Sequence, residues 1–209
     1  MSMIEMNAVG KCYNETWVLQ DITLSFDVGR IYGLVGRNGS GKTMIMKLIS
    51  GMVTPSAGTI TVAGKQLGTD VDIPDSIGAI IEVPGFLGEL TGLGNLKYLA
   101  SLRNRIGENE ILTSMRNVGL DPNDKKRVAK YSLGMRQRLG IAQAIMEQPD
   151  ILLLDEPMNG LDNHGVQDVR KLLKQQRALG RTIVLASHHA DDIDELCDEV
   201  YQLEEGKLI

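Results

Sequence analysis

The run GRNGSGKT, Gly36 to Thr43, follows a short apolar stretch, IYGLVG, and opens the helical pattern KTMIMKLISGM. It satisfies G-x-x-x-x-G-K-S/T in the setting which that spacing requires, a buried strand before it and a helix after it. Gly36, Arg37, Asn38, Gly39, Ser40 and Gly41 form a loop whose backbone N–H groups can curl around phosphate oxygens. The helix start adds partial positive charge, Lys42 reaches terminal phosphates, and the Thr43 hydroxyl suits Mg2+. A second run, ILLLDEP at Ile151 to Pro157, drives four apolar residues to a pair of acids. At the carboxyl end of a buried strand Asp155 can hold Mg2+, while Glu156, alternating to the other side, can act as a general base toward water. A third run, LASHH, ends on His188 and His189. A neutral imidazole there could hydrogen-bond a terminal phosphate, and composition does not separate the two.

These groups need a scaffold. Ile22 to Val28 alternates like a half-buried strand, Ile31 to Gly36 is a continuous apolar run like a fully buried one, and Gly58 to Gly64 reads as a hairpin strand. Ile77 to Val83, IGAIIEV, reads as another buried strand. From Glu89 to Glu147 the spacing becomes helical, with charged faces. DILLLDEP and RTIVLASHH are then apolar runs separated by the helical VQDVRKLLKQQRALG, and EVYQLEEGKLI closes the sequence as an edge hairpin. Strands alternating with helices imply a parallel sheet covered on both faces.

Composition sets the frame. The 209 residues are 43% hydrophobic and 23% charged, which points neither to disorder nor to membrane residence. A net charge of -5 argues against a nucleic-acid binder working through a basic surface. Cys12 and Cys197 lie at opposite ends without further metal ligands at zinc spacing, which fits a reduced cytosol. MSMIEMNAVGKCY lacks the basic start and apolar core of a signal peptide, and no run approaches the ~18 to 20 apolar residues of a spanning helix.

In this order and over nearly the whole chain, the motifs resemble those of the ATP-binding cassette (ABC) ATPases. The resemblance implies an α/β fold: a P-loop NTPase (RecA-like) core with a mostly parallel sheet, an N-terminal antiparallel β subdomain and an inserted helical subdomain. The expected division is 1–88 and 148–209 for the core and 89–147 for the helices. It also gives Tyr13 the place of the aromatic that stacks on adenine, with Trp17 as a rival and a packed aromatic as the plainer reading. Asp162, in NGLD, takes the place of the dimer loop, although it reads equally as a helix N-cap. His188 takes the switch position because it follows Ser187.

Within the family, IIEVPGFLGELTGLGNL and YSLGMRQRLGIA are similar to the bacitracin and lantibiotic type of exporter. Three departures stand out. Glu82 replaces the glutamine whose amide oxygen approaches Mg2+; a carboxylate is the harder ligand, but it adds a third acid near Asp155 and Glu156. It reads otherwise as a solvated acid at a strand end. Met44 replaces a second hydroxyl after Thr43, removing a hydrogen bond worth on the order of 1 kcal/mol. Tyr131, Ser132, Leu133, Gly134 and Met135 stand where the family reads LSGGQ, the segment that reaches ATP held by a partner subunit. Ser132, Gly134 and the following helix supply the hydroxyl, the close backbone N–H and the helix start that phosphate needs, while a simple N-cap serine would also suffice there.

The resemblance thus implies an ATPase with ATP and Mg2+ as cofactors. It implies a second, identical ATP-binding subunit, and a transmembrane permease through which alone the chain meets the inner face of the membrane. Two other classes stay open, a nontransport ABC ATPase and a nucleotide-gated docking or immunity module with little turnover.

Overall fold

The computed structural model describes residues 2–209. In chain order the first half contains β1 (Ser2–Tyr13), β2 (Thr16–Asp27), β3 (Ile31–Val35), α1 (Lys42–Ile49), β4 (Ala57–Val62), β5 (Lys65–Gln66) and β6 (Ile77–Ile80). Helices α2 (Gly92–Arg103), α3 (Glu108–Asn117) and α4 (Leu133–Met146) follow. The remainder is β7 (Ile151–Asp155), α5 (Asn163–Ala178), β8 (Thr182–Ala186), α6 (Ala190–Leu196), β9 (Glu199–Glu204) and β10 (Lys207–Leu208).

Asn14 and Glu15 both take positive φ, 44° and 67°, and form the tight turn between β1 and β2. That turn matches the twist of a two-residue hairpin, which allows both strands to run long. Together with β4 and β5 they form an antiparallel sheet in the order β2-β1-β4-β5. The second sheet runs β10-β9-β3-β8-β7-β6. It is parallel from β9 to β6, with the closing hairpin β9–β10 antiparallel at its edge.

The central strands sort their side chains by parity. Ile151, Leu153, Val184 and Ala186 face a core shared with α1 and the antiparallel sheet, whereas Leu152, Leu154, Ile183 and Leu185 face one shared with α4 and α5. Both faces are therefore dry, as continuous apolar strands require. Helix α4 belongs to the second core through Leu139, Ile141, Ala142 and Ile145, with α3 packed on it and α2 on α3. The helices expected between 89 and 147 are therefore anchored to the sheet by α4. At Gly78 a Cβ would fall 1.9 Å from the carbonyl oxygen of Ala144, so α4 approaches β6 too closely for any side chain there.

Two strand readings need correction. The apolar run Ile77 to Val83 is not one strand; β6 stops at Ile80, opposite Leu154. Glu82 takes φ 62°, which no ladder continues, and Val83 is 84% exposed. Conversely, β2 begins at Thr16, well before Ile22, because its pairing with β1 extends to the turn. Among the described residues no helix is long and apolar enough to cross a membrane.

Candidate active site

The loop after β3 is built on positive φ at Gly36, Gly39 and Gly41 (151°, 81° and 111°). At Gly36 a Cβ would fall 2.3 Å from the Leu203 carbonyl oxygen, and at Gly41 one would fall 2.4 Å from Leu19 Cδ2. These two glycines are required by both conformation and space. Lys42 folds back over the loop, its Nζ donating to the carbonyls of Gly36 at 2.7 Å and Arg37 at 3.1 Å. Ser40 Oγ is sealed in the loop without a hydrogen-bond partner among the described residues. Such an orphaned hydroxyl beside loop N–H groups suits a phosphate oxygen.

Asp155, the last residue of β7, shares the parity of Ile151 and Leu153 and so faces α1. There the Thr43 hydroxyl donates to Asp155 Oδ2 at 2.7 Å. Both are hard oxygen donors, suited to Mg2+. Among the described residues no group of three or more His, Cys, Asp or Glu could hold a metal by itself.

Glu156 leaves the strand with φ 50°, an unusual value for glutamate. Its N–H donates to the Ala186 carbonyl at 2.9 Å, and its own carbonyl accepts from Gln137 Nε2 at 3.3 Å. The side chain turns to His188, whose Nδ1 lies 2.8 Å from Glu156 Oε2. Of the two candidate histidines, His188 makes this contact, while His189 precedes α6 and lies against the His188 ring at 3.9 Å between centroids.

Glu82 borders the same open cleft, of about 470 Å³, as Lys42, Thr43, Asp155 and Glu156. Its carboxylate is paired with Lys47 Nζ at 2.6 Å. Lys47 lies one helical turn beyond Thr43, so the third acid brings its own countercharge. Sequence reasoning missed this lysine, because the pairing joins two elements 35 positions apart. It also missed Arg136 and Gln137, which line the cleft beside Asn159 of the NGLD run.

The aromatic candidates separate by register. Residues paired across an antiparallel ladder share a face, and Lys11 pairs with Leu19 while Cys12 pairs with Trp17. Tyr13 lies under Lys11 Nζ, 4.7 Å from its ring centroid, on the face that Leu19 presents to Gly41. Trp17 covers Gly10 on the opposite face, where a Cβ would fall 2.7 Å from its ring.

Ser132 is the N-cap of α4, its Oγ accepting from Met135 N–H at 3.2 Å. Gly134 is needed for a second reason, because a Cβ there would fall 2.8 Å from the Gly160 carbonyl oxygen. Leu133 is exposed and covers Gly160, whereas the Met135 side chain packs toward the core. Asp162 caps α5, Oδ1 accepting from Gly165 N–H at 2.8 Å. Tyr131 is buried, which pushes its phenol pKa up. It anchors the segment and does not face the cleft.

The ABC transporter family matches residues 19–159. The chain belongs to that family. An ABC transporter ATP-binding protein of Bacillus subtilis, YybJ, is 46% identical over 206 residues, covering 99% of this chain and 94% of that protein. The bacitracin transport ATP-binding protein BcrA of Enterococcus faecalis is 41% identical over 209 residues, covering 99% of this chain and 68% of its own. A solved ATP-binding subunit of an ABC transporter superposes with a TM-score of 0.88 at 28% identity, over 99% of this chain and 88% of that one. In this ABC ATPase the RecA-like core, the antiparallel sheet and the inserted helices take the family's arrangement, and the chain is an ATP-hydrolysing enzyme.

Proposed function

We propose that this ABC ATPase powers an exporter of peptide antibiotics or related drugs through a separate membrane permease, acting as a pair of identical subunits at the inner face of the cell membrane. The observation that carries the catalytic part is the split of two consecutive acids, Asp155 toward Thr43 and Glu156 toward His188. The likeness to a bacitracin transport protein supports the cargo class.

Two ATP molecules lie between the subunits. Tyr13 stacks on adenine, residues 36–43 hold the phosphates, and Ser132, Gly134 and Met135 of the other subunit close on the terminal phosphate, with Asp162 beside the shared interface. Thr43, Asp155 and Glu82 would hold Mg2+, which would supply charge neutralisation at the phosphates. Glu156 takes a proton from the attacking water; the water oxygen bonds to the γ-phosphorus as the bond to the ADP oxygen breaks, releasing ADP and phosphate. His188 orients Glu156 through Nδ1–H, the one proton a neutral ring carries.

Exposed Val83 and Leu87 flank the helical segment and suit a permease contact. Phosphate release, measured with and without vesicles carrying the co-purified permease, tests the reading. Stimulation by those vesicles is expected. Release that never exceeds background would instead mark a nucleotide-gated module, and release indifferent to every permease would mark a nontransport ATPase.

A further inference from the structure

Behind the cleft lies a buried ionic network that the hydrolysis geometry leaves unused. Arg170, on α5, is 11% exposed at its side chain, and Asp192, on α6, is 2% exposed. The guanidinium places Nε at 2.9 Å and Nη2 at 2.7 Å from the same Asp192 Oδ1, and its Nη1 pairs with Glu195. Asp192 Oδ2 then accepts from Ser187 Oγ at 3.1 Å, and Ser187 Oγ accepts from the His189 N–H at 3.1 Å. Ser187 itself is buried. Burial works against the Arg170 charge, but hydrogen bonding and attraction from Asp192, and then Glu195, raise its pKa above the ordinary arginine value.

The network grips the residues on both sides of His188 and not His188 itself. The His188 ring is 52% exposed, and its contacts are Glu156 and the neighbouring His189 ring. A half-exposed imidazole with so few neighbours owes its place to its backbone. That backbone is held at His189, whose N–H donates to Ser187 Oγ and whose carbonyl accepts from Asp192 N–H at 3.1 Å, while Ser187 Oγ is fixed by the Asp192 carboxylate, itself held by a two-nitrogen fork from α5. A buried ion pair contributes little net stability, so its value here lies in fixing geometry.

We propose that Arg170 is a positioning residue for ATP hydrolysis, setting the place of His188 through Asp192 and Ser187. The inference rests on the role given to His188 above. Helix α5 is capped by Asp162, near the contact of Gly134 with Gly160, so the same arginine ties the His188 segment to the helix that starts at the expected subunit interface.

The test is a double-mutant cycle on the full chain. Arg170→Met strands a buried carboxylate and can unfold the protein, so Arg170→Lys is the working variant, keeping the charge but losing the fork. Ser187→Ala, which cuts the link without removing charge, is the companion. Each single variant should fold and bind ATP with KM within about twofold of the parent, while kcat falls by about tenfold, as expected for coupled neighbours. Combined with His188→Ala, neither should slow hydrolysis further, and in Arg170→Lys the His188 ring resonances should shift while those of His164 stay. Folded variants with parental kcat, or losses that multiply with that of His188→Ala, overturn the proposal while leaving His188 in its role. A His188→Ala chain at the parental rate removes the role of His188 itself, and the proposal falls with it.

Discussion

His188 Nδ1 stands 2.8 Å from Glu156 Oε2, one residue along the chain from the 2.7 Å contact of Thr43 Oγ1 with Asp155 Oδ2. Strand β7 therefore delivers two acids to two different partners. Parity sends Asp155 toward α1, and the left-handed turn at Glu156 swings its carboxylate toward the end of β8. Metal-binding and base functions are separated without separate elements.

The cap and phosphate roles of Ser132 can be pulled apart. Ser132→Ala should cost about 1 kcal/mol of stability through loss of the α4 cap. Ser132→Asp keeps a good cap, so its melting temperature should match the parent. A carboxylate aimed at a partner's phosphates would nevertheless repel them. ATP-induced dimerisation, followed by sedimentation, should be lost in Ser132→Asp while ATP binding by the monomer persists. Dimerisation at parental ATP concentrations would assign Ser132 to capping alone.

The Lys47–Glu82 pair makes a metal prediction. Glu82 is 63% exposed at its side chain, so the pair is worth at most about 1 kcal/mol. Lys47→Met frees the carboxylate for Mg2+, and the Mg2+ concentration giving half-maximal hydrolysis should fall by up to about fivefold. Glu82→Gln in the same background should abolish that gain. If the Mg2+ dependence is the same in all three chains, Glu82 is not a ligand.

Tyr13 and Trp17 are distinguished by affinity. Tyr13→Ala should weaken ATP binding by about five- to a hundredfold, the usual worth of one stacked base, and Tyr13→Phe should restore it. Trp17→Ala should leave ATP affinity unchanged, because its ring covers the other face of the hairpin. Isothermal titration of the three variants gives the comparison, and the reverse ranking would exchange the assignments.

Cys197 lies against Gly33, where a Cβ would fall 3.0 Å from its Sγ, and burial first, then Asp198, pushes its thiol pKa up to about 12. It should resist iodoacetamide at pH 8 in the native state and react once unfolded. The sign for stability follows. Between the ordinary thiol value near 9 and about 12 the unfolded chain has released the proton while the folded chain retains it, so this group makes stability fall as pH rises through that window. Rapid native labelling of Cys197, read by mass spectrometry, would contradict its burial.

The sequence made local features legible and long-range pairings illegible. Gly36 to Thr43, the ILLLDEP strand and the α4 start are runs whose spacing already encodes conformation. The Lys47–Glu82, Gln137–Glu156 and Arg170–Asp192 contacts join residues 35, 19 and 22 positions apart, and periodicity within one element cannot find them. The overlong strand at Ile77 to Val83 failed for the same reason. Apolar composition suggested a longer run, but its partner β7 matches it only as far as Leu154, and the backbone at Glu82 turns away. Composition leaves His188 and His189 alike, the family resemblance selects His188, and the fold sets that one on Glu156.

Single-turnover hydrolysis by Glu156→Gln, with ATP binding followed in parallel, tests the central claim most directly. The chemical step should slow by roughly 10²- to 10⁴-fold, the usual worth of a positioned general base. ATP should still bind and hold the subunits together as a dimer. Hydrolysis at the parental rate in that variant would contradict the assignment of Glu156 as the base.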